Sequence, residues 1–300
     1  MNPRLDAELL RALPVQVVSH RYEARDCMLY ALGVGVGAGA NEVDAAALRY
    51  VYEKQLRVLP TMAIILGVEG SDFLRDPRTG IDLARVLHGE VAIEMHGALP
   101  PGGVVRAETR ICDLLDRGPQ TGAVLKYERR LLHAEDGRLI SVERGSYVLR
   151  GNGGFSGTVE PAAARSASPA ATPALERDPD WRFVTRLSRR AALIYRLSGD
   201  FNPLHLDPEF ARRMGYARPI LHGACTFGSI GLDLIRHVCG DDPARLLRLG
   251  VRFSAAVEPG AVLETRVWRR AAGEAVFETR ELDAGQLVLS RGVLGFAEMT

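Results

Sequence analysis

Lysine is nearly absent from this 300-residue sequence: it occurs only at Lys54 and Lys126, and arginine supplies the rest of the positive charge. The 38 basic residues are balanced by 37 acidic ones, so the net charge is only +1. A balanced chain has no overall positive field with which to attract nucleic acid or an anionic membrane surface. We therefore expect neither partner, and we attribute the arginine bias to a GC-rich bacterial genome.

Cysteine pairs and long apolar runs are missing as well. Cys27, Cys112, Cys225 and Cys239 lie far apart, and none belongs to a CxxC pair or has a histidine at zinc-finger spacing. No run of about 18 apolar residues is present, and the N-terminal residues carry acidic groups and a proline where a signal peptide has an apolar core. The sequence predicts a cytoplasmic protein with reduced thiols, no zinc site built on cysteine and no membrane-spanning segment.

Hydrophobic residues make up 47% of the chain and charged residues 25%, which is enough apolar material for two domains of ordinary size. Residues 151–180 interrupt this composition, because they are rich in glycine, serine, alanine and proline and contain few large apolar groups. Such a segment cannot support a packed core, so it is predicted to be an interdomain linker. The predicted domains are residues 1–150 and 181–300.

The two halves contain similar patterns in the same order. Residues 26–35 and 192–200 are apolar helical stretches in which a Tyr-x-Leu precedes a glycine-containing break. Residues 96–113 and 255–270 each place a Pro-Gly turn before an alternating strand. A repeat of this kind indicates that one structural unit is duplicated.

Each copy combines helix with antiparallel strands. Residues 219–239 begin with a proline and carry apolar side chains around most of a helix surface, which predicts a buried helix. From residue 247 onward, alternating or apolar segments are separated by glycine-containing turns, as in antiparallel strands. The first half ends in the same way. We therefore predict an α+β fold in which one helix packs against one antiparallel sheet, twice.

An Asn-Pro turn separates two groups that can perform acid-base chemistry, Asp200 and His205. Proline fixes its own φ and disfavours helix at the residue before it, so the turn holds the carboxylate and the imidazole close together. Such a pair can polarise a water molecule and relay its proton, as the addition of water to a polarised double bond requires. The alternative is that Asp200 and Asn202 only cap a helix that begins near Pro208, with His205 packed as a structural residue.

A second candidate group lies just inside the predicted buried helix. Gly223 allows another backbone to approach, and the free N–H groups of a helix N-terminus can bind an oxyanion. A thioester carbonyl polarised there would stabilise the enolate that forms when a nucleophile adds at the β-carbon. Tight helix packing is the alternative explanation for Gly223. The adjacent His222 either orients this site or caps the helix.

Residues 195–228, YRLSGDFNPLHLDPEFARRMGYARPILHGACTFG, resemble the signature of the MaoC-like, (R)-specific enoyl-CoA hydratases, also called hydratase 2. In the first half, the segments 30–35, 86–90, 113–118 and 151–157 resemble the N-terminal part of two-domain members, such as the hydratase domain of peroxisomal multifunctional enzyme type 2. The resemblance covers nearly the whole chain. It implies a double hot-dog fold, in which each repeat wraps an antiparallel β-sheet around a long helix.

The resemblance also implies roles for residues of the second half. It makes Asp200 and His205 the catalytic dyad, Asn202 the residue that orients the site, and Gly223 the donor of the oxyanion amide. The implied enzyme is a lyase that adds water reversibly, in syn fashion, to a trans-2-enoyl-CoA and gives the (3R)-3-hydroxyacyl-CoA. The substrate is then an acyl-CoA, no metal or redox cofactor takes part, and the protein is a homodimer. Which residue of the dyad carries which proton stays open.

The first half departs from the catalytic pattern, since Gly33, Val34 and Gly35 stand where the second half has its Ser-Gly-Asp, and no Asn-Pro-x-His occurs after them. In two-domain members of the family, the silent half lacks part of the helix and widens the acyl tunnel. The resemblance therefore implies that residues near 30–70 line a pocket for medium, long or bulky acyl chains. Glu53 matches a Tyr-Glu of the family, at altered spacing, and is a further candidate for substrate binding.

Other interpretations stay open. Arg252 precedes a strand residue at the expected sheet edge and is a candidate for binding a CoA phosphate. The same fold also supports dehydration of steroid side-chain, branched-chain or carrier-protein-linked 3-hydroxyacyl thioesters, or binding of acyl-CoA without catalysis. Binding of acyl-CoA alone does not require Asp200 and His205 to converge. We therefore favour an enzyme over a binding protein.

Overall fold

Five strands from each half of the chain join in one ten-stranded antiparallel sheet. The structure, a computed structural model, describes residues 4–38, 45–157 and 177–298. The strands are β1 (Gln16–Tyr22), β2 (Val86–Met95), β3 (Gly103–Asp116), β4 (Ala123–His133), β5 (Leu139–Leu149), β6 (Trp181–Arg186), β7 (Leu246–Phe253), β8 (Val262–Ala271), β9 (Glu274–Glu281) and β10 (Leu287–Phe296).

The strand order shows the duplication directly. Along the sheet it is β1-β3-β4-β5-β2-β7-β10-β9-β8-β6, so each half has the same order when followed from its outer edge to the middle. β2 and β7 pair at the centre, where Val91 lies opposite Val251 and Ile93 lies opposite Leu249. All four side chains belong to one buried core that both halves share. The duplication predicted from the sequence is confirmed.

Except for α1, which precedes β1, the helices follow the first strand of each half in the chain. They are α1 (Ala7–Ala12), α2 (Ala24–Gly33), α3 (Ala45–Val51), α4 (Ala191–Tyr195), α5 (Pro208–Arg213) and α6 (Gly223–His237). Ten of the 15 residues of α6 are buried, as its apolar pattern predicts. No helix in the described ranges is long and apolar enough to cross a membrane. The four cysteines are free thiols.

The first half has shorter elements at the place in the chain where the second half has α6. Between β1 and β2, Pro60–Ile65 and Val68–Leu74 form 3-10 helices. Gly67 separates them with a φ of 70°, and a Cβ at this position would lie 2.2 Å from the Cβ of Ala107 on β3. Only glycine permits both the left-handed backbone and this close approach to the sheet. Residues of both short elements line the cavity described below.

α2 and α4, the helical stretches predicted to be counterparts, pack against each other. The buried rings of Tyr30 and Tyr195 have centroids 5.9 Å apart. A Cβ on Gly33 would lie 3.2 Å from the Cα of Tyr195, so the helix backbones also approach closely. The loop after α4 is therefore supported by the first half.

The described beginning of the predicted linker packs on the first half. Asn152 is buried, and its side chain donates a hydrogen bond of 2.7 Å to the carbonyl of Gly80. The carboxylate of Asp116 accepts a hydrogen bond of 2.7 Å from the amide of Ser156. Residues 158–176 lie outside the described residues, and the domain boundaries stay a prediction.

Candidate active site

The loop after α4 holds the two predicted reactive groups. Gly199 has a φ of 114°, which turns the chain sharply before Asp200. Asn202 then accepts a hydrogen bond of 3.0 Å from the amide of Leu204 and caps a short 3-10 helix, Pro203–His205. The Asp200 carboxylate accepts one of 3.2 Å from the Asn202 amide. The turn is thus fixed by its own side chains.

The alternative capping role for this motif is wrong. Helix α5 begins at Pro208, but its cap is Asp207, which accepts hydrogen bonds from the amides of Glu209 at 2.8 Å and Phe210 at 3.2 Å. Asp200 therefore has no part in starting this helix, and its carboxylate lines a cavity.

His205 presents one ring nitrogen as a base. Its Nδ1 lies 2.9 Å from the carbonyl oxygen of Ile220, and because a carbonyl only accepts, Nδ1 carries the hydrogen. The lone pair is then on Nε2. Burial lowers the pKa of His205 below its ordinary value of 6.5, while the negative charge of Asp200 opposes this shift. The imidazole is therefore neutral at neutral pH and able to accept a proton.

His222 links the catalytic loop to the start of α6. It is buried, and its Nε2 donates a hydrogen bond of 3.1 Å to the backbone carbonyl of Asp200. Its ring stacks on His205 with centroids 3.7 Å apart. Burial, and then the neighbouring His205, lower the pKa of His222 to about 4. The residue occupies the N-cap position but its side chain makes no capping hydrogen bond, so the contacts favour the orienting role.

Gly223 is the first residue of α6 and lines the same cavity. No described residue accepts a hydrogen bond from its amide, as expected for the first turn of a helix. A Cβ at this position would lie 3.2 Å from the ring of Phe253. The glycine is therefore tightly packed, as one interpretation predicts, and its amide is free, whereas its role as an oxyanion donor stays a prediction.

Asp200, His205 and His222 bring three potential metal-ligand atoms within 4.8 Å of one another. Two of the ring nitrogens, however, already donate hydrogen bonds to the carbonyls of Ile220 and Asp200. His205 Nε2 and His222 Nδ1 would have to serve as ligands. The prediction that the reaction needs no metal stays a prediction.

Both halves of the chain line the cavity at this site, whose volume is 760 Å³. The second half contributes the catalytic loop and the start of α6. The first half contributes apolar side chains from its 3-10 helices, namely Ile64, Ile65 and Val68. These three residues fall within the range near 30–70 that was predicted to line an acyl pocket.

A group of buried and half-buried polar residues that the sequence does not reveal lines the same cavity. We call it the first-half polar cluster: His88, Tyr127, Arg129, Glu143 and Tyr147. The Tyr127 phenol donates a hydrogen bond of 2.5 Å to Glu143 and lies 3.1 Å from His88 Nε2. Arg129 Nη1 lies 3.4 Å from Glu143 Oε2. Burial, and then the charge of Arg129, lower the pKa of His88 to about 4.

The structure does not bring the two weaker candidates into this cavity. Glu53 is exposed in the turn after α3. Arg252 lines a different cavity, with Arg144 and Arg248, whereas the next residue of β7, Phe253, lines the catalytic one. The prediction that Arg252 lies near a sheet edge is wrong, because β7 pairs with β2 on one side and β10 on the other.

Two family models together match most of the chain. The one described as MaoC like domain matches residues 170–291, and the one described as MFE-2 hydratase 2 N-terminal domain matches residues 20–151. The chain is 38% identical to 3-hydroxyacyl-thioester dehydratase Y of Mycobacterium tuberculosis, over 85% of this chain and 84% of that protein. It is 34% identical to peroxisomal enoyl-CoA hydratase 2 of Arabidopsis thaliana, over 96% and 95% of the two chains.

Solved structures agree on the fold. A MaoC-like dehydratase from Phytophthora capsici superposes with a TM-score of 0.79 at 27% identity, covering 99% of this chain and all of that one. A Mycobacterium tuberculosis protein described as having a double hot-dog fold has a TM-score of 0.55 at 13% identity, covering 95% of this chain and 96% of that one. The predicted double hot-dog fold is confirmed.

Proposed function

We propose, since the chain belongs to the MaoC-like family of type 2 enoyl-CoA hydratases, that it is a (3R)-specific enoyl-CoA hydratase, a hydro-lyase that adds water to trans-2-enoyl-CoA. The observation that carries the proposal is the convergence of three groups on one cavity: the Asp200 carboxylate, the neutral His205 imidazole and the free amide of Gly223. Hydration needs a proton acceptor for water and a donor for the thioester oxygen, and this cavity offers both.

The amide of Gly223 is suited to the thioester carbonyl. As water adds to the β-carbon, the π electrons of the double bond move towards the carbonyl and place negative charge on its oxygen. The first-turn N–H groups of α6 and the positive end of the helix stabilise that charge. His222 holds this helix start against the carbonyl of Asp200, so that oxyanion donor and dyad keep a fixed separation.

The hydrogen bond to Ile220 leads us to assign the water proton to His205. Its Nε2 accepts the proton while the oxygen of water bonds to the β-carbon, and the enolate then takes that proton from the imidazolium at the α-carbon. The net change is one water added across the double bond. Asp200 holds the other hydrogen of the water molecule and stabilises the transient imidazolium. Delivery of both parts of water from one side explains a syn addition.

The proposal extends to the cofactor, the acyl chain and the assembly. The reaction proceeds without a metal or redox cofactor, and the acyl chain, of medium or greater length, extends from the dyad towards the first half. The protein is a cytoplasmic homodimer. The 38% identity to a protein named 3-hydroxyacyl-thioester dehydratase supports the reverse reaction on the same site, which uses the same groups.

Loss of the conjugated thioester absorbance tests the proposal directly. Purified protein mixed with crotonyl-CoA, and separately with a long-chain trans-2-enoyl-CoA, should remove the absorbance, and chiral analysis of the product should give the (3R) alcohol. The Asp200→Asn variant serves as a matched blank. Absence of turnover on every enoyl-CoA, at protein concentrations close to that of the substrate, contradicts the hydratase and leaves acyl-CoA binding as the function.

A further inference from the structure

The first-half polar cluster contains hydrogen-bonding groups that no described residue satisfies. Glu143 and Arg129 face each other across β5 and β4, and their side chains are only 4% and 2% exposed. Within the described part of the chain, Glu143 Oε2 accepts no hydrogen bond and has only the ion-pair contact of 3.4 Å with Arg129 Nη1, while Arg129 Nε donates no hydrogen bond. Both residues line the catalytic cavity. Buried polar atoms of this kind are destabilising unless a ligand or water completes their hydrogen bonds.

The two repeats can be matched residue by residue at this point. In the first, Tyr127 lies opposite Gly145, and a Cβ on that glycine would lie 2.5 Å from the phenol oxygen. In the second, Phe277 lies opposite Gly292, and a Cβ there would lie 2.6 Å from the aromatic ring. An aromatic ring over a glycine thus marks the equivalent position in each half.

The repeats differ two residues further along the strand from each aromatic residue. The first half has Arg129 opposite Glu143, whereas the second has Thr279 opposite Leu289. Thr279 and Leu289 are both buried. The corresponding strands of the second half, β9 and β10, therefore pair without a buried ion pair at this position. The fold itself does not require the ion pair.

Other contacts fix the orientation of the cluster. Arg129 Nη1 donates hydrogen bonds to the carbonyls of Ile64 at 3.1 Å and Leu66 at 3.4 Å. The Tyr127 phenol donates to Glu143 Oε1. These bonds leave Glu143 Oε2 with only its ion-pair contact to Arg129 Nη1, and Arg129 Nε without an acceptor. The arrangement is therefore built in advance of any ligand.

The cluster also lies close to the catalytic groups. The His88 ring is 5.3 Å from the ring of Phe253, measured between centroids. Phe253 in turn packs against Gly223 at the start of α6. Gly223, Phe253 and the first-half polar cluster all line the same cavity.

We propose that the first-half polar cluster is a subsite for a hydroxyl group on the acyl chain of the substrate, beyond the reacting double bond. The proposal rests on the hydratase function proposed above. A hydroxyl fits because it donates a hydrogen bond to Glu143 Oε2 and accepts one from Arg129 Nε, whereas a carbonyl only accepts and an alkyl chain does neither. The preferred substrate class is thus a hydroxylated enoyl-CoA.

Binding of unreactive analogues tests the subsite without relying on catalysis. Saturated acyl-CoAs from hexanoyl to dodecanoyl, with and without a terminal hydroxyl, are titrated into the wild-type protein in a calorimeter. At the chain length that reaches the cluster, the hydroxylated analogue should bind about tenfold more tightly, as one hydrogen bond to a charged group provides. Equal or weaker binding of the hydroxylated member at every length overturns the subsite, even where crotonyl-CoA is hydrated normally.

A matched pair of variants identifies the group responsible. Glu143→Gln removes the charge with little change of shape and should abolish the preference. Glu128→Gln should keep the preference, because Glu128 lines the second cavity rather than the catalytic one. Thermal unfolding and far-UV circular dichroism show whether each variant is folded. A folded Glu143→Gln protein with the full preference contradicts the proposal, and if that variant does not fold, the wild-type titrations decide alone.

Discussion

The two halves keep the same backbone break but differ in the residue that comes after it. Gly35 and Gly199, which lie just beyond the paired helices α2 and α4, have φ values of 104° and 114°. The backbone thus equates Gly35 with Gly199, one position away from the sequence correspondence, which set Gly35 against Asp200. After Gly199 comes Asp200, which lines the cavity, whereas after Gly35 comes Val36, which is 2% exposed in the core. A duplicated backbone can therefore persist where the reactive groups do not, since a left-handed turn needs only glycine while acid-base chemistry needs particular side chains.

The halves also differ in the titratable groups that they place at the cavity. The second half places two imidazoles around the start of α6, His205 and His222, which are neutral and bonded to backbone carbonyls. The first half buries the Arg129–Glu143 ion pair in the sheet. In the proposed enzyme, the second half performs the reaction and the first half shapes and selects the acyl chain. Variants in each half can test this division of roles.

Removal of the dyad should have the largest effect. Asp200→Asn and His205→Ala should each lower kcat by about 10²- to 10⁴-fold, since general acid-base catalysis contributes that much and the first half has no matching motif. Asp207→Asn is the control from the same loop, because asparagine also caps helices and should preserve both α5 and activity. Initial rates with crotonyl-CoA measure the effect. Near wild-type turnover by a folded dyad variant would show that chemistry is not confined to the second half.

Removal of the buried arginine should reduce stability more than removal of its neighbour. Arg129→Met leaves Glu143 buried without its charge partner and should lower the free energy of unfolding by about 3–5 kcal/mol. Arg130→Met removes an ion pair with Glu108 whose arginine is 47% exposed, and should cost less than about 1 kcal/mol. Urea unfolding at neutral pH compares the two variants. Equal losses would mean that the buried pair contributes no more than a surface pair.

Two glycines of α6 should separate catalysis from packing between the halves. Gly223→Ala places a Cβ 3.2 Å from Phe253 and should lower kcat/KM about tenfold by displacing the oxyanion amide. Gly228→Ala places a Cβ 2.5 Å from Val34 of the first half and should destabilise the fold by about 1–3 kcal/mol. Kinetics and thermal unfolding of both variants test the separation. A Gly223→Ala protein with unchanged kinetics would contradict the role of its amide.

The catalytic loop could be predicted because its residues are close in sequence and their roles follow from local geometry. Strands β8, β9 and β10 were also predicted, since they alternate and end in glycine turns. The sequence does not predict three of the strands, β1, β2 and β6. The edge strands β1 and β6 expose apolar residues such as Val17 and Val184, which are 57% and 46% exposed, so the usual alternation is weak. β2 pairs with both β5 and β7, and its position depends on contacts between the halves.

The first-half polar cluster and the true position of Arg252 depend on register, which the sequence does not show. Arg129 falls on the inward face of an alternating strand, and a charged residue in that phase is the one sequence signal of the cluster. Its partner Glu143 is 14 residues away and meets it only through the β4–β5 pairing. Likewise, β7 is expected at an edge if one half is considered alone, and becomes central only when β2 joins it.

The smallest expected effect is a shift in the pH dependence of kcat/KM. This effect tests the catalytic groups of the second half most specifically. His205 must be neutral to accept the proton of water, and burial lowers its pKa below 6.5, so activity should persist as the pH falls past 6.5 and decline only below that value. Asp200 raises this pKa, so in Asp200→Asn the remaining activity should decline at still lower pH. Proton NMR of the His205 ring follows the same titration without relying on turnover. A decline that begins above pH 6.5, or that moves to higher pH in Asp200→Asn, would show that His205 does not accept the proton and that the assignment within the dyad must be reversed.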